Sequence, residues 1–128
     1  MSDGGARDRP GKPGRTGLAR VVAAAANSGR GLHACWRNEA AFRQEVLLAV
    51  PVLAVAAMLP LDGVARGLMM ASVLLVLVVE LLNSSIEAVV DRIGPEQHVL
   101  SGLAKDVASA AVGVSLLLAA VVWACILL

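Results

Sequence analysis

The chain has 128 residues, enough for one domain or a small helical bundle and too few for two ordinary domains. Apolar residues make up 58% of it and charged residues 16%, against roughly 45–50% and 25% in a typical soluble domain. The net charge is +1, and aromatic residues amount to only 2%. This composition argues against intrinsic disorder and against a base-stacking nucleic-acid surface, and it favours membrane helices.

The first segment, residues 1–16, is polar and rich in Gly, Pro and basic side chains, so it predicts a disordered tail. Basic residues are concentrated in residues 1–43, whose net charge is +5, while residues 44–128 carry a net −4. A basic front end is typical of the cytoplasmic side of a membrane protein. A nucleic-acid-binding arm would need a folded partner domain, so no nucleic-acid partner is expected.

Residues 17–128 are predicted to form a single membrane domain that opens with an amphipathic helix over residues 18–37. Its apolar side chains share one broad helical stripe: Leu18, Val21, Val22, Ala25, Leu32 and Trp36. Such a helix suits the membrane surface, although Gly29 and Gly31 weaken its middle. The alternative is that it packs on the other helices without touching lipid.

Three apolar segments follow, at about residues 40–61, 64–92 and 104–128. Each is long enough to span a bilayer. Pro51 lies inside the first and should bend it, and the Pro60–Gly63 turn separates the first two. The Pro60–Arg66 turn carries one basic residue, whereas residues 1–43 and the segment with Arg92 and Lys105 together carry ten. We therefore expect the N-terminus in the cytoplasm and the C-terminus outside.

The second apolar segment carries polar residues that lipid would not tolerate. Glu80 follows thirteen apolar or small residues, and at 100° per residue Asn83, Glu87 and Asp91 lie within about 60° of it on one helix face. An ionisable group at this depth costs at least about 2.5–3.5 kcal/mol, which makes the face a candidate functional site.

Three kinds of counter-charge would suit these carboxylates. A divalent metal takes oxygen ligands, and Mg²⁺ typically uses one or two carboxylates plus phosphate oxygens. Basic side chains at the same depth, Arg92 and Lys105, are a second source, and protons are a third. The competing interpretation is a salt-bridged polar stripe that only fixes helix packing.

Two further polar clusters border the apolar segments. Glu39 and Arg43, at the start of the first span, have the spacing of a local ion pair. Ser101, Lys105 and Ser109 recur every four residues and therefore share one side of the third helix. Lys105 is either a phosphate-binding charge or a lysine that snorkels to the interface.

These residues resemble the bacterial integral-membrane diacylglycerol kinase family, whose signature is Glu-x-x-Asn-Ser/Thr-Ser/Ala-x-Glu-x-x-x-Asp. Here it reads from Glu80 through Asn83, Ser84, Ser85 and Glu87 to Asp91. The blocks 38–45 and 100–106 also look like the family's, and the resemblance covers roughly residues 17–128.

The resemblance implies an all-α integral membrane homotrimer of three-span subunits with a surface helix. It implies transfer of the γ-phosphate of MgATP to the hydroxyl of diacylglycerol, which gives phosphatidic acid. Glu80 would be the general base, and Glu39 and Glu87 would hold Mg²⁺. The implied nucleotide- and phosphate-binding residues are Lys105, Asn83, Asp91, Glu96, His98, Arg20 and Asp106. The implied lipid-substrate residues are Glu45, Gln44 and Ser109.

Other functions stay open from the sequence. Some members of this family phosphorylate undecaprenol, although the Glu39 block and the surface helix look closer to the diacylglycerol branch. A small ion- or proton-conducting bundle would also explain buried carboxylates, and an assembly subunit would need none of them for chemistry. For the kinase we expect the bacterial cytoplasmic membrane as its location.

Overall fold

A computed structural model describes residues 17–94 and 98–128. These residues form four α-helices: α1 (Leu18–Asn38), α2 (Ala40–Met58), α3 (Gly63–Ile93) and α4 (Val99–Leu127). The last three are long and apolar enough to cross a membrane. The predicted all-α membrane architecture with three spans is therefore confirmed. The tail predicted for residues 1–16 and the candidate residue Glu96 lie outside the described residues.

The chain divides into two compact units, one ending at His33 and one running from Ala34 to Leu128. In the first unit, α1 begins after Gly17, whose φ of 67° is a left-handed conformation that favours glycine. A shallow apolar depression on this helix is lined by Leu18, Val22 and Ala26 among others. Of the predicted apolar stripe, Leu18 and Val22 line this depression, and the placement of the helix on a membrane surface stays a prediction.

The second unit contains the last turn of α1 and the three apolar helices. α2 ends at Met58, three residues before the predicted limit, because Leu59 is extended before Pro60. At the start of α3, the Asp62 side chain accepts a hydrogen bond of 2.7 Å from the Ala65 amide. α2 runs without a break through Pro51. These short, well-capped connections bring α2 and α3 side by side.

The fourth helix begins at Val99, five residues before the predicted span. His98 precedes it in an extended conformation, and its Nδ1 accepts a 3.1 Å hydrogen bond from the Leu100 amide. This cap satisfies one amide that the first helical turn leaves without a partner. Residues 99–106 are thus helical, and Lys105 and Asp106 lie on α4.

α3 is the central helix, with both α2 and α4 packed against it. The buried apolar side chains are few and mostly small: Cys35, Phe42, Ala49, Ala56, Met69, Val76 and Ala108. Many of the large aliphatic side chains point outward instead. Such an apolar exterior is unusual for a soluble protein and suits helices surrounded by lipid.

One end of the second unit, which we call the turn end, comprises the α2–α3 turn and the residues packed beneath it. The Arg66 guanidinium donates hydrogen bonds to the carbonyls of Ala56 (3.3 Å), Leu59 (2.9 Å) and Leu61 (3.2 Å). The Trp123 indole donates to the Met69 carbonyl at 3.2 Å, which ties α4 to α3. At this end of the bundle, hydrogen bonds therefore connect α3 both to the end of α2 and to α4.

Candidate active site

The polar face of α3 runs from the core to the surface. Glu80 and Asn83 are buried, with 4% and 9% of their surface exposed, Glu87 is half-buried, and the Asp91 side chain is 66% exposed. The three carboxylates and the amide follow one helix face, as their spacing predicts. Glu80 is therefore the most enclosed carboxylate of the set.

Glu45 of α2 lies close enough to Glu80 of α3 for the two carboxyl groups to act on each other electrostatically. Two carboxylate anions at such short range repel each other, and protonation of either one removes the repulsion. The Glu45 Oε2 and Asn83 Oδ1 atoms are buried and have no hydrogen-bond partner. The site therefore holds unused acceptor atoms and a short-range carboxyl pair.

Two more carboxylates border this pair. The negative charges of Glu87 and Glu39 act on Glu80, and the Asn83 amide nitrogen approaches Glu87 Oε1 at 3.4 Å. Glu39 stands at the N-terminus of α2 without capping it through its side chain. We call this group of residues, Glu39, Glu45, Glu80, Asn83 and Glu87, the acidic end.

Lys105 of α4 is bound to Asp91 rather than to the buried carboxylates. Its Nζ lies 2.6 Å from Asp91 Oδ1, with the two side chains 43% and 66% exposed. Within residues 17–94 and 98–128 this is the one ion pair shorter than 4.0 Å. Glu87 also acts on Lys105 electrostatically. A basic neighbour thus compensates the outermost carboxylate of the face, whereas Glu80 lies opposite a second acid.

The local pair suggested for Glu39 and Arg43 is not formed. Arg43 Nη1 instead donates hydrogen bonds to the carbonyls of Trp36 (2.7 Å) and Arg37 (3.0 Å) at the end of α1. A cation at these carbonyls suits the negative end of the helix dipole. Glu39 is consequently left without this arginine as a counter-charge.

The other candidate residues belong to several parts of the chain. Arg20 belongs to α1 in the first unit, and Glu96 lies outside the described residues. His98 caps α4 through its ring nitrogen. Gln44, Asp106 and Ser109 are exposed on their helices.

Some contacts around the site have no signal in the sequence. The buried thiol of Cys35 lies 3.7 Å from the Ser84 hydroxyl, and these residues are 49 positions apart. The meeting of Glu45 with Glu80 is equally long-range. Helical periodicity places residues on a face of one helix, whereas the rotation of that face toward its neighbour depends on packing of the whole bundle.

The oxygen atoms at the acidic end are suitable ligands for a hard cation. Carboxylate oxygens of Glu39 and Glu87, with the unpartnered Asn83 Oδ1, are the ligand type that Mg²⁺ prefers. Within the described part of the chain, no three Asp, Glu, His or Cys side chains converge on one point as a metal cage. Mg²⁺ held by one or two carboxylates and by nucleotide phosphates does not require such a cage.

Fold and site together define a small helical membrane protein with an oxygen-rich acidic centre at one end of its bundle. A family model for prokaryotic diacylglycerol kinase matches residues 26–127. The chain belongs to this family, which confirms the resemblance seen in its motifs.

Named relatives cover nearly the whole chain. It is 52% identical over 113 residues to the diacylglycerol kinase of Escherichia coli K12, covering 88% of this chain and 92% of the relative. It is 52% identical over 115 residues to the diacylglycerol kinase of Pseudomonas aeruginosa, with 90% and 94% covered. The corresponding enzyme of Haemophilus influenzae is 45% identical over 112 residues, with 88% and 95% covered.

Proposed function

We propose that this protein is a membrane lipid kinase that transfers the γ-phosphate of ATP to the hydroxyl of diacylglycerol and releases phosphatidic acid. The observation that carries the proposal is the enclosed carboxylate Glu80, opposite Glu45, at one end of an apolar bundle in a chain of this family. A phosphate donor dissolved in water and an alcohol dissolved in lipid meet at such a position.

Glu80 is proposed as the general base. Phosphoryl transfer needs positioning and charge neutralisation, and the one proton to be moved is that of the attacking hydroxyl. Glu80 is a carboxylate held on a rigid helix and shielded from bulk water. It would accept the hydroxyl proton while the lipid oxygen attacks the γ-phosphorus and the bond from the γ-phosphorus to the departing ADP breaks.

Glu39 and Glu87 are proposed to hold Mg²⁺, which when bound neutralises phosphate charge. Asn83, whose amide nitrogen already approaches Glu87, would orient the same phosphates. Lys105 would contact the phosphates through its ammonium group, either while it stays bound to Asp91 or once that bond has broken. Together these side chains supply the electrostatic part of the reaction.

The remaining assignments follow the family resemblance and stay part of the proposal. Arg20, Glu96, His98, Asp91 and Asp106 would line the nucleotide, and Glu45, Gln44 and Ser109 would contact the lipid. A homotrimer would shield polar surface of α3 and α4 from lipid. The charge distribution supports a bacterial cytoplasmic membrane protein with a cytoplasmic N-terminus.

The test is phosphate transfer by the purified full chain in mixed micelles with ATP labelled at the γ-phosphate. We expect label in phosphatidic acid when Mg²⁺ and dioleoylglycerol are present, and none when either is omitted. Undecaprenol, assayed in parallel micelles, should be a much poorer acceptor. A preference for undecaprenol would overturn the substrate, and no transfer to either alcohol would overturn the kinase.

A further inference from the structure

A single residue, Glu39, interrupts the helical chain between α1 and α2. Its backbone is extended, with φ -115° and ψ 106°. Backbone hydrogen bonds nevertheless cross the interruption, because the Glu39 amide donates to the Cys35 carbonyl (2.9 Å) and the Arg43 amide donates to the Glu39 carbonyl (3.2 Å). We call residues 35–43 the junction. One of the two proposed Mg²⁺ ligands therefore stands at the point where one helix gives way to the next.

The Arg43 side chain connects the two sides of the junction. The last four carbonyls of a helix have no amide partner within it. Arg43 Nη1 donates to two of these carbonyls in α1, those of Trp36 (2.7 Å) and Arg37 (3.0 Å). A cation is favourable at this negative end of the helix dipole. Because Arg43 belongs to the first turn of α2, these bonds hold the two helices together across Glu39.

The same arrangement leaves the Glu39 carboxylate available to a cation. Arg43 has the spacing to pair with Glu39, but within residues 17–94 and 98–128 no ion pair of 4.0 Å or less involves Glu39. An acidic side chain just before a helix can cap it, yet Glu39 does not cap α2 through its side chain. Its charge acts on Glu80 instead. The arginine thus fixes the backbone of Glu39 without neutralising its carboxylate.

A second contact attaches the junction to α3. The Cys35 side chain is buried, and its Sγ lies 3.7 Å from the Ser84 hydroxyl. Ser84 follows Asn83 in the sequence and is within one helical turn of Glu87. The junction is therefore held against the helix that carries the other proposed Mg²⁺ ligand.

We propose that Arg43 is a positioning residue for the metal: by tying α2 to the end of α1, it holds the Glu39 carboxylate where Mg²⁺ can bind it together with Glu87. The inference rests on the proposed function, which assigns these two carboxylates to Mg²⁺. Loss of a group that orients a metal ligand typically lowers metal affinity or activity by roughly 10–100-fold. Removal of the Arg43 side chain should therefore weaken metal binding and spare the lipid substrate.

The test compares Arg43→Met with Arg37→Met in the purified full chain. Mn²⁺ serves as the probe, and its binding in the presence of a non-hydrolysable ATP analogue is followed by the electron paramagnetic resonance signal of free Mn²⁺. In Arg43→Met we expect about tenfold weaker Mn²⁺ binding and a similar rise in the Mg²⁺ concentration for half-maximal rate. The KM for dioleoylglycerol should stay within about twofold of wild type. Arg37→Met removes an exposed side chain but keeps the carbonyl that accepts from Arg43, so it should change none of these quantities.

The variant Glu39→Gln shows whether Arg43 acts through Glu39. In this background Arg43→Met should cause no further loss of Mn²⁺ affinity, because the carboxylate that the arginine positions is already gone. The same loss in both backgrounds would show that Arg43 contacts the nucleotide or the metal itself, and this would overturn the proposal.

Two measurements guard against a general folding defect. The amides of residues 39 and 43, whose bonds cross the junction, should exchange hydrogen faster in Arg43→Met, while the amides of α3 and of the rest of α2 stay as protected as in wild type. Faster exchange throughout the bundle would overturn the proposal. Lysine keeps the charge and can donate to the same carbonyls, so the Mn²⁺ affinity of Arg43→Lys should lie between those of wild type and Arg43→Met. An affinity no better than that of Arg43→Met would also overturn it.

Metal binding and hydrogen exchange need no phosphate transfer, so they separate this proposal from the proposed function. Turnover by the wild type, with Mn²⁺ binding unaffected by Arg43→Met, would overturn the positioning role alone. Mn²⁺ binding that depends on Arg43 in a protein without turnover would support the positioning role and overturn the kinase. Absence of Mn²⁺ binding by the wild type would overturn the positioning role together with the metal assignment.

Discussion

The turn end and the acidic end of the bundle differ in how far their polar groups are hydrogen-bonded. At the turn end, Arg66 donates to three carbonyls and Trp123 donates to the Met69 carbonyl. At the acidic end, Glu45 faces Glu80, and Glu45 Oε2 has no partner. The first arrangement brings donors to carbonyl groups, three of them at the end of α2 and in the turn after it, whereas the second adds acceptors without donors.

This difference separates stability from activity. An unsatisfied buried polar group costs about 1–3 kcal/mol, so the acidic end works against folding while the turn end works for it. Substitutions at the acidic end should therefore change turnover and leave stability intact or improved. Substitutions at the turn end that remove a hydrogen-bond donor should do the opposite.

The largest expected effect is that of Glu80→Gln. Glutamine keeps the shape and much of the hydrogen bonding but cannot accept a proton, so kcat should fall by about 10²–10⁴. The variant should be no less stable than wild type, because it removes a charge from the carboxyl pair. Initial rates measure kcat, ATP titration measures nucleotide binding, and thermal unfolding in detergent measures stability.

The matched control for Glu80→Gln is Asp62→Asn at the turn end. Asparagine caps a helix about as well as aspartate, so this change should alter neither turnover nor stability appreciably. Near-normal kcat in Glu80→Gln would remove it from catalysis. Activity lost only through misfolding would show that the acidic end supports the fold, contrary to the comparison.

The next effect is on nucleotide and metal dependence. Glu87→Gln and Glu39→Gln should each raise the Mg²⁺ and ATP concentrations needed for half-maximal rate and should also lower kcat, because each removes a ligand. We expect changes on the order of tenfold or more, with stability unchanged. Titration of both substrates in each variant measures this, and unaltered Mg²⁺ and ATP dependence in both would exclude these carboxylates as ligands.

These predictions depend on features that differ in how far the sequence foretells them. The α3 face from Glu80 to Asp91 follows from spacing alone, because it lies within one helix. The start of α4 at Val99 lies before the predicted span because hydropathy follows the apolar part of a helix, whereas the helix itself begins at its cap. Arg43 resembles an ion-pair partner of Glu39 by spacing, but the end of α1 offers it carbonyls instead.

Contacts between helices were beyond the sequence for another reason. The Glu45–Glu80 pair depends on the rotation of α2 about its axis. Beyond Glu45, α2 is apolar on every side, so hydropathy gives it no preferred face, since lipid and protein are equally apolar. The carboxyl pair is therefore a result of packing.

At the turn end, Arg66→Met should lower stability without a comparable loss of chemistry. Methionine keeps an apolar stem but donates nothing to the carbonyls of Ala56, Leu59 and Leu61. Hydrogen bonds to a charged group contribute about 1.5–3 kcal/mol, so a loss in that range is expected. Arg92→Met, at the exposed end of α3, is the control for stability and should cost far less.

Unfolding at increasing concentrations of a denaturing detergent measures the loss of stability in Arg66→Met. The kcat of the folded fraction is determined in parallel. Equal destabilisation by Arg66→Met and Arg92→Met would mean that the carbonyl bonds contribute nothing specific. A fall of kcat in the folded fraction of Arg66→Met would link the turn end to catalysis and would break the separation between the two ends.

The smallest expected effect is that of Trp123→Phe. Phenylalanine retains the aromatic contact between α4 and α3 but cannot donate to the Met69 carbonyl. Hydrogen bonds between membrane helices average about 0.6 kcal/mol, so the loss of stability should be of this order, with kcat unchanged.

The Met69 carbonyl keeps a second donor, the Ser72 hydroxyl at 2.8 Å, which limits the cost. In Trp123→Phe/Ser72→Ala the carbonyl loses both side-chain donors and keeps only its backbone bond within α3, so the combined loss should exceed the sum of the two single losses. Strict additivity in this double-mutant cycle would show that the two donors do not compensate for each other at this carbonyl.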